Sequence, residues 1–166
     1  DDSSGTEGAK MGMEFDFSML QPMDILDMAI WVEAEAEGHY EQLTSWAEGS
    51  ADPQVVKFLT RMAGLEALHR QQIQELRQRK FGDVAPNFTE NIAWEVEAPD
   101  YDKVYDNMSM RQALEIALEA EGKAHDYYEG AQEYISDSDA LALLEGLRKA
   151  ELEHQRLLRD EISRLG

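Results

Sequence analysis

Two stretches of this chain occur twice. "AIWVEAEAEGHY" at 29–40 lies over "ALEAEGKAHDYY" at 117–128, so that Ala29 falls on Ala117, Glu33 on Glu121, Ala36 on Ala124 and Tyr40 on Tyr128. "FLTRMAGLEALH" at 58–69 lies over "LLEGLRKAELEH" at 143–154, which sets Leu59 on Leu144, Met62 on Leu147, Glu66 on Glu151 and His69 on His154. The two pairs are separated by nearly the same length of chain. A repeat of this kind restricts the fold to two equivalent halves related by an approximate twofold axis.

Each half reads as two helices. Ile25, Met28, Ala29, Val32, Ala36 and Tyr40 recur at spacings of three and four, the period of one helix face. Pro22 suits the first turn of that helix, which is expected to run to about Gly49. Asp52 is a good N-cap for a second helix with Pro53 at its first position, ending near Gly82. Ser109 with Gln112 has the form of a capping box, and the third helix is expected to continue to about Ile135. A fourth runs from about Asp139 to Leu165. Between the second and third lies a stretch over 83–108 with two prolines and no helical period. An up-down bundle needs only short turns, whereas a chain returning to the far end of the bundle needs a long one. The expectation is an all-α four-helix bundle over 21–166 with a long crossover between helices 2 and 3. Residues 1–20 are read as a flexible leader, either a vector remnant in part or a frayed native tail.

The chain has 166 residues, 43% hydrophobic and 30% charged, which is the composition of one globular domain with a real core. It contains no cysteine, which excludes disulfides, thiolate metal sites and a cysteine nucleophile, and is compatible with a cytoplasmic location. The net charge of -20 argues against nucleic acid as a partner. Most of the acids suit a solvated surface, and together they attract cations. No apolar run is long enough to cross a membrane.

Two of the four histidines stand three residues after a glutamate, at equivalent places in the repeat: Glu66 with His69 and Glu151 with His154. Residues i and i+3 share a helix face, so a carboxylate and an imidazole so spaced can hold one cation together. Two such helices facing each other supply two imidazoles and two glutamates long enough to bridge two cations. Glu33 and Glu121, one from each remaining helix, add a further carboxylate to each. Four carboxylates and two imidazoles suit iron or manganese better than zinc or copper. The surrounding positions are Ala, Leu, Met and Tyr, and buried carboxylates without a partner are costly.

On "AIWVEAEAEGHY", "MAGLEALH", "ALEAEGKAHDYY" and "RKAELEH" the chain resembles the rubrerythrin branch of the ferritin-like di-iron carboxylate superfamily over about residues 22–165. That resemblance implies Glu33 and Glu121 as terminal ligands, Glu66 and Glu151 as bridging ligands, and His69 and His154 as one imidazole per metal. It implies a cofactor of two iron ions, with manganese or a mixed pair as variants. Two features depart from the family. Typical members have a cysteine-ligated iron domain, and this chain has no cysteine. Typical members also have a glutamate three residues before the third-helix ligand, where Leu118 stands here and Glu119 is set off that face. The chain is thus more similar to the stand-alone members, without a rubredoxin domain.

Tyr40 and Tyr128 lie seven residues after Glu33 and Glu121, on the same faces, where each could donate to a ligand carboxylate across the bundle. Glu37 and His125 occupy equivalent positions four after those glutamates. They are candidate auxiliary ligands or relays to one metal, or rim residues held in ion pairs. His39 is expected at the surface. Trp31 and Trp46 read as packing residues, and Trp94 as the residue that pins the crossover. The function expected is reduction of peroxide or O2 by a di-iron site, with electrons from a separate donor. The alternative is iron binding and sequestration, with ferroxidase activity incidental. A homodimer is the expected assembly.

Overall fold

The computed structural model describes residues 17–49, 52–87 and 108–166. Four helices account for most of them: α1 (Pro22–Ala47), α2 (Pro53–Phe81), α3 (Met110–Ala131) and α4 (Ser138–Leu165), with short 3-10 turns at Phe17–Met19 and Gln132–Tyr134. The helix starts follow the local chemistry. Asp52 caps α2 through the Gln54 amide, with Pro53 at the first position. Ser109 accepts from the Gln112 amide at 3.1 Å while the Gln112 side chain accepts from the Ser109 amide at 2.9 Å, a closed capping box. Asp137 caps α4 through the Ala140 amide. At the end of α2, Gly82 turns the chain at φ 62°, a conformation that favours glycine.

The main helix contacts are α1 with α2 and α3 with α4, two antiparallel hairpins that meet across the α1/α3 and α2/α4 faces. The cross-bundle hydrogen bonds Tyr40 to Glu121 and Tyr128 to Glu33 fix α1 antiparallel to α3. Helix α2 therefore ends at one end of the bundle, where Phe81 joins a core with Ile25, Tyr127 and Leu144. Helix α3 begins at the other, where Ala113 and Leu114 join a core with Tyr40, Leu43 and Leu59. The end of α2 and the start of α3 thus lie at opposite ends of the bundle, as the crossover reading requires. Most of the intervening segment, Trp94 included, lies outside the described residues.

The two apolar cores occupy the two ends of the bundle and share no buried residue. Trp31 packs against the first and Trp46 against the second. At the first end a polar clamp locks the hairpin. Arg77 of α2 donates to Asp27 of α1 at 2.8 Å and to the carbonyls of Gly82 and Val84 just past the end of its own helix. Asn87 then donates to Asp24 at 3.0 Å.

Two expectations need correction. Of the leader expected over 1–20, residues 17–20 pack on the bundle: Phe17 is buried against Tyr127 and Tyr134, and Leu20 against the same core. Residues 1–16 lie outside the described residues. His39, expected at the surface, is 3% exposed, with its ring 5.9 Å from that of Tyr40. The reason is geometric. Helix α1 packs on both α2 and α3, so its buried arc is wider than one apolar stripe and takes in the residue beside Tyr40. Burial lowers the His39 pKa to about 4 despite the nearby Glu121 charge, so the ring is neutral.

Candidate metal centre

Each helix brings one part of a polar layer to the middle of the bundle. Helix α1 supplies Glu33, α2 supplies Glu66 and His69, α3 supplies Glu121, and α4 supplies Glu151 and His154. All six side chains are buried or nearly so, with His69 the most open at 13%. The i, i+3 spacing does what helix geometry requires, setting His69 Nδ1 4.0 Å from Glu66 and His154 Nδ1 3.9 Å from Glu151. Across the bundle His154 Nδ1 lies 2.9 Å from Glu66 Oε1 and 3.3 Å from Glu121 Oε2, and His69 Nδ1 lies 3.8 Å from Glu33 Oε2. The two imidazoles stack with centroids 5.5 Å apart.

These residues form two overlapping sets. Glu33, Glu66, His69 and Glu151 present ligand atoms within 4.8 Å of one another, and so do Glu66, Glu121, Glu151 and His154. Glu66 and Glu151 belong to both sets. Two cations held there would each be offered both shared carboxylates, with one further carboxylate and one imidazole apiece.

The donor set fits a metal pair on a second count. Glu33 Oε2, Glu66 Oε2, Glu151 Oε2 and His69 Nδ1 are buried without a hydrogen-bond partner, and Glu66 Oε1 has only the His154 Nδ1 contact at 2.9 Å. Buried polar atoms in a folded protein are nearly always paired, because each unpaired one costs about 1–3 kcal/mol. Four such atoms converging on one place are what two cations would satisfy.

Protons partly stand in for the cations. Burial, and then the charges of Glu33, Glu121 and Glu151, push the Glu66 carboxyl well above its usual range. Burial and the charge of Glu121 do the same to Glu151. Burial also acts to raise Glu33 and Glu121, but their neighbours outweigh it. The adjacent Glu66 carboxyl, the His69 ring and the Tyr128 hydroxyl hold Glu33 below its usual value. Glu151, His154 and Tyr40 hold Glu121 at about 2. The shared pair is thus shifted toward the protonated form and the outer pair toward the ionised form.

The tyrosines hold the outer pair in place. Tyr40 of α1 donates to Glu121 of α3 at 2.5 Å, and Tyr128 of α3 donates to Glu33 of α1 at 2.5 Å. Each half of the repeat thus orients a carboxylate of the other. Burial, followed by the surrounding carboxylate charges, pushes both hydroxyls well above the usual tyrosine range, so both remain donors.

Glu37 and His125 are not in this layer. The Glu37 carboxylate accepts from Arg70 Nε at 2.8 Å. His125 places Nδ1 3.1 Å from Asp126 and Nε2 3.5 Å from Arg148. Leu118 is partly buried and packs in the second core, and Glu119 is exposed beside Lys123 at 3.8 Å. Sequence reasoning did not find the buried Arg77–Asp27 clamp, whose only trace is an arginine at an otherwise apolar position of α2.

The sequence model of the rubrerythrin family matches residues 24–162, from the first turn of α1 to the last of α4. The chain belongs to the rubrerythrin family. Two solved structures share the rubrerythrin-like bundle. A hypothetical protein from Pyrococcus furiosus superposes with a TM-score of 0.69 at 22% identity, covering 89% of this chain and 92% of that one. An uncharacterized conserved protein from Magnetospirillum magnetotacticum MS-1 superposes with a TM-score of 0.73 at 20% identity, covering 87% of this chain and 95% of that one. At these identities the likeness is one of fold. No curated protein matches the chain. Rubrerythrin-family membership and the acidic layer with its two imidazoles agree on a di-iron carboxylate type of protein. Among the described residues no helix is long and apolar enough to cross a membrane.

Proposed function

We propose that this protein binds two iron ions in the carboxylate layer and uses them to reduce peroxide or O2, with electrons from a separate donor. The observation that carries the reading is the sharing of Glu66 and Glu151 between the two ligand sets. Glu33 with His69 would complete one position and Glu121 with His154 the other. Manganese, or one ion of each kind, suits the same donors. A bound pair of such ions supplies two electrons at adjacent positions, the stoichiometry of peroxide cleavage or of O2 reduction to peroxide.

The chain's own residues do the rest. Glu66 and Glu151 surrender their protons as cations enter, and so tie metal uptake to proton release. Tyr40 and Tyr128 would keep the outer carboxylates aimed inward as a metal is held. The apolar cores above and below keep bulk water from the layer, and His69 marks its most open side. With Leu118 in place of the extra glutamate of typical members, redox-linked exchange with a carboxylate at that position is not available to this chain.

An anaerobic Fe(II) titration of metal-free protein, followed by rapid mixing with peroxide and separately with O2, tests the reading. Two irons per chain and fast oxidation by one of the two support it and choose the oxidant. Oxidation that stops after one round and retains the iron, even with a reductant supplied, points instead to iron binding with incidental ferroxidase activity. Absence of stoichiometric binding, shared by Glu66→Ala, sinks both.

A further inference from the structure

Tyr128 holds Glu33, and it also begins a row of rings. Its centroid lies 5.5 Å from that of Tyr127, edge-on at 72°. Tyr127 lies 5.6 Å from Phe17, and Phe17 stacks on Tyr134 at 5.3 Å and 22°. Tyr128, Tyr127 and Phe17 are buried, whereas Tyr134 is 47% exposed. Four aromatic side chains in successive contact thus lead from a carboxylate of the metal layer to solvent, at the end of the bundle where α1 begins and α3 ends.

The row depends on one glycine. A Cβ at Gly130 would stand 2.9 Å from Phe17 Cε2. Glycine inside a helix costs about 1 kcal/mol relative to alanine, and here it leaves the space in which the Phe17 ring seats between Tyr127 and Tyr134.

Resting on the redox reading above, we propose that this row is an electron path linking the buried metal layer to a donor at the surface. When peroxide is reduced at the layer and the metal pair supplies only one of the two electrons required, the other comes through the row: Tyr134 is oxidised by one electron and its phenolic proton goes to water. A soluble one-electron reductant then returns an electron to Tyr134, and water returns the proton. The intermediate rings conduct without holding the charge. Phe17 has no proton to release, and the Tyr127 hydroxyl donates at 2.7 Å to the Ile25 carbonyl, which is too weak a base to take its proton. Tyr134 is the one ring of the four with solvent to accept a proton, so the oxidising equivalent comes to rest there. The path gives a layer sealed between two apolar cores a contact with a donor too large to enter it.

The test is radical trapping by position. Iron-loaded full-length chain is mixed with hydrogen peroxide and a nitroso spin trap; adducts are mapped by peptide mass spectrometry, and ferric formation is followed by absorbance. The expected adduct is on Tyr134. It is lost in Tyr134→Phe, and lost or sharply reduced in Phe17→Leu and Gly130→Ala, while all three still form ferric iron. Metal-free protein gives no adduct. Equal trapping at Tyr134 in Phe17→Leu or Gly130→Ala, or in metal-free protein, overturns the path, because peroxide then attacks the surface directly. Trapping at Trp31 instead, or complete ferric formation with no adduct, overturns it too and leaves the redox reading standing. No ferric formation in the wild-type chain means that the redox reading has failed and the path with it. Gly130→Ala favours helix and Tyr134→Phe changes an exposed site, so the test does not depend on Phe17→Leu folding.

Discussion

The shared carboxyls decide how the site behaves without metal. Glutamine at position 66 matches a protonated glutamate in shape but cannot ionise. Metal-free Glu66→Gln should therefore be at least as stable as wild type at neutral pH, yet fail to bind two irons per chain, as melting curves and a metal titration would show. The pH dependence follows in sign. Glu66 and Glu151 keep their protons in the folded state at pH values where the unfolded chain, near its ordinary 4.5, has lost them. The folded metal-free protein binds more protons, so its stability falls as pH rises from the ordinary 4.5 toward the raised folded-state values. Glu33 and Glu121, held below 4.5, have the opposite sign, but their contribution is complete above 4.5 and is lost only in more acid solution. The melting temperature of metal-free wild type should drop across that range, and that of Glu66→Gln should drop less. Tyr128→Phe removes the donor to Glu33 and should weaken metal binding about 10–100-fold, measurable by competition with a chelator. The six ligand candidates and both tyrosines were legible because the repeat marked them twice. His39 was not, because the width of a buried arc depends on how many helices press on it.

At the scale of the helix, start signals were local and therefore readable. Asp52, Pro53 and the Ser109–Gln112 box act within one turn of chain. Ser109→Ala should cost about 1 kcal/mol, seen as a lower urea midpoint with an unchanged slope. The clamp at the end of α2 was not readable, because Asp27 and Arg77 lie 50 residues apart. Arg77→Ala leaves Asp27 buried without its partner, with a cost of about 3–5 kcal/mol in the same measurement. That loss should exceed the Ser109→Ala loss, which separates a buried pair from an exposed cap. Phe17 belongs to this scale as well. A phenylalanine in a stretch without periodicity gave no sign that it docks against Gly130, since the seat is made by another helix.

For the whole molecule, four helices place an acidic layer between two apolar cores, and the cation pair proposed above would reconcile that layer with its surroundings. Metal should raise the melting temperature of the entire bundle, since all four helices carry ligand candidates. Free metal at about 100 times its dissociation constant adds about 2.7 kcal/mol per site, which for a chain of this size is a rise of about 5–10 °C per site. The rise should be larger at pH 8 than at pH 5, because protons compete for Glu66 and Glu151. Calorimetry at the two pH values checks this. The homodimer expected from sequence concerns this scale too, and sedimentation of the full-length chain would test it.

By itself the sequence determined the helices, their caps, the pseudo-twofold pairing and the identity of the metal-ligand candidates. Each of these depends on spacing along one helix, or on a repeat that shows itself in one dimension. The tertiary structure decided which atoms meet. It fixed the distances at which the expected glutamates and tyrosines meet, and beyond expectation it paired Glu37 with Arg70, buried His39 and stacked Phe17 between two tyrosines. These outcomes depend on the rotation and register of one helix against another. Side-chain volumes along the whole interface set that register together, and no single window of sequence contains it.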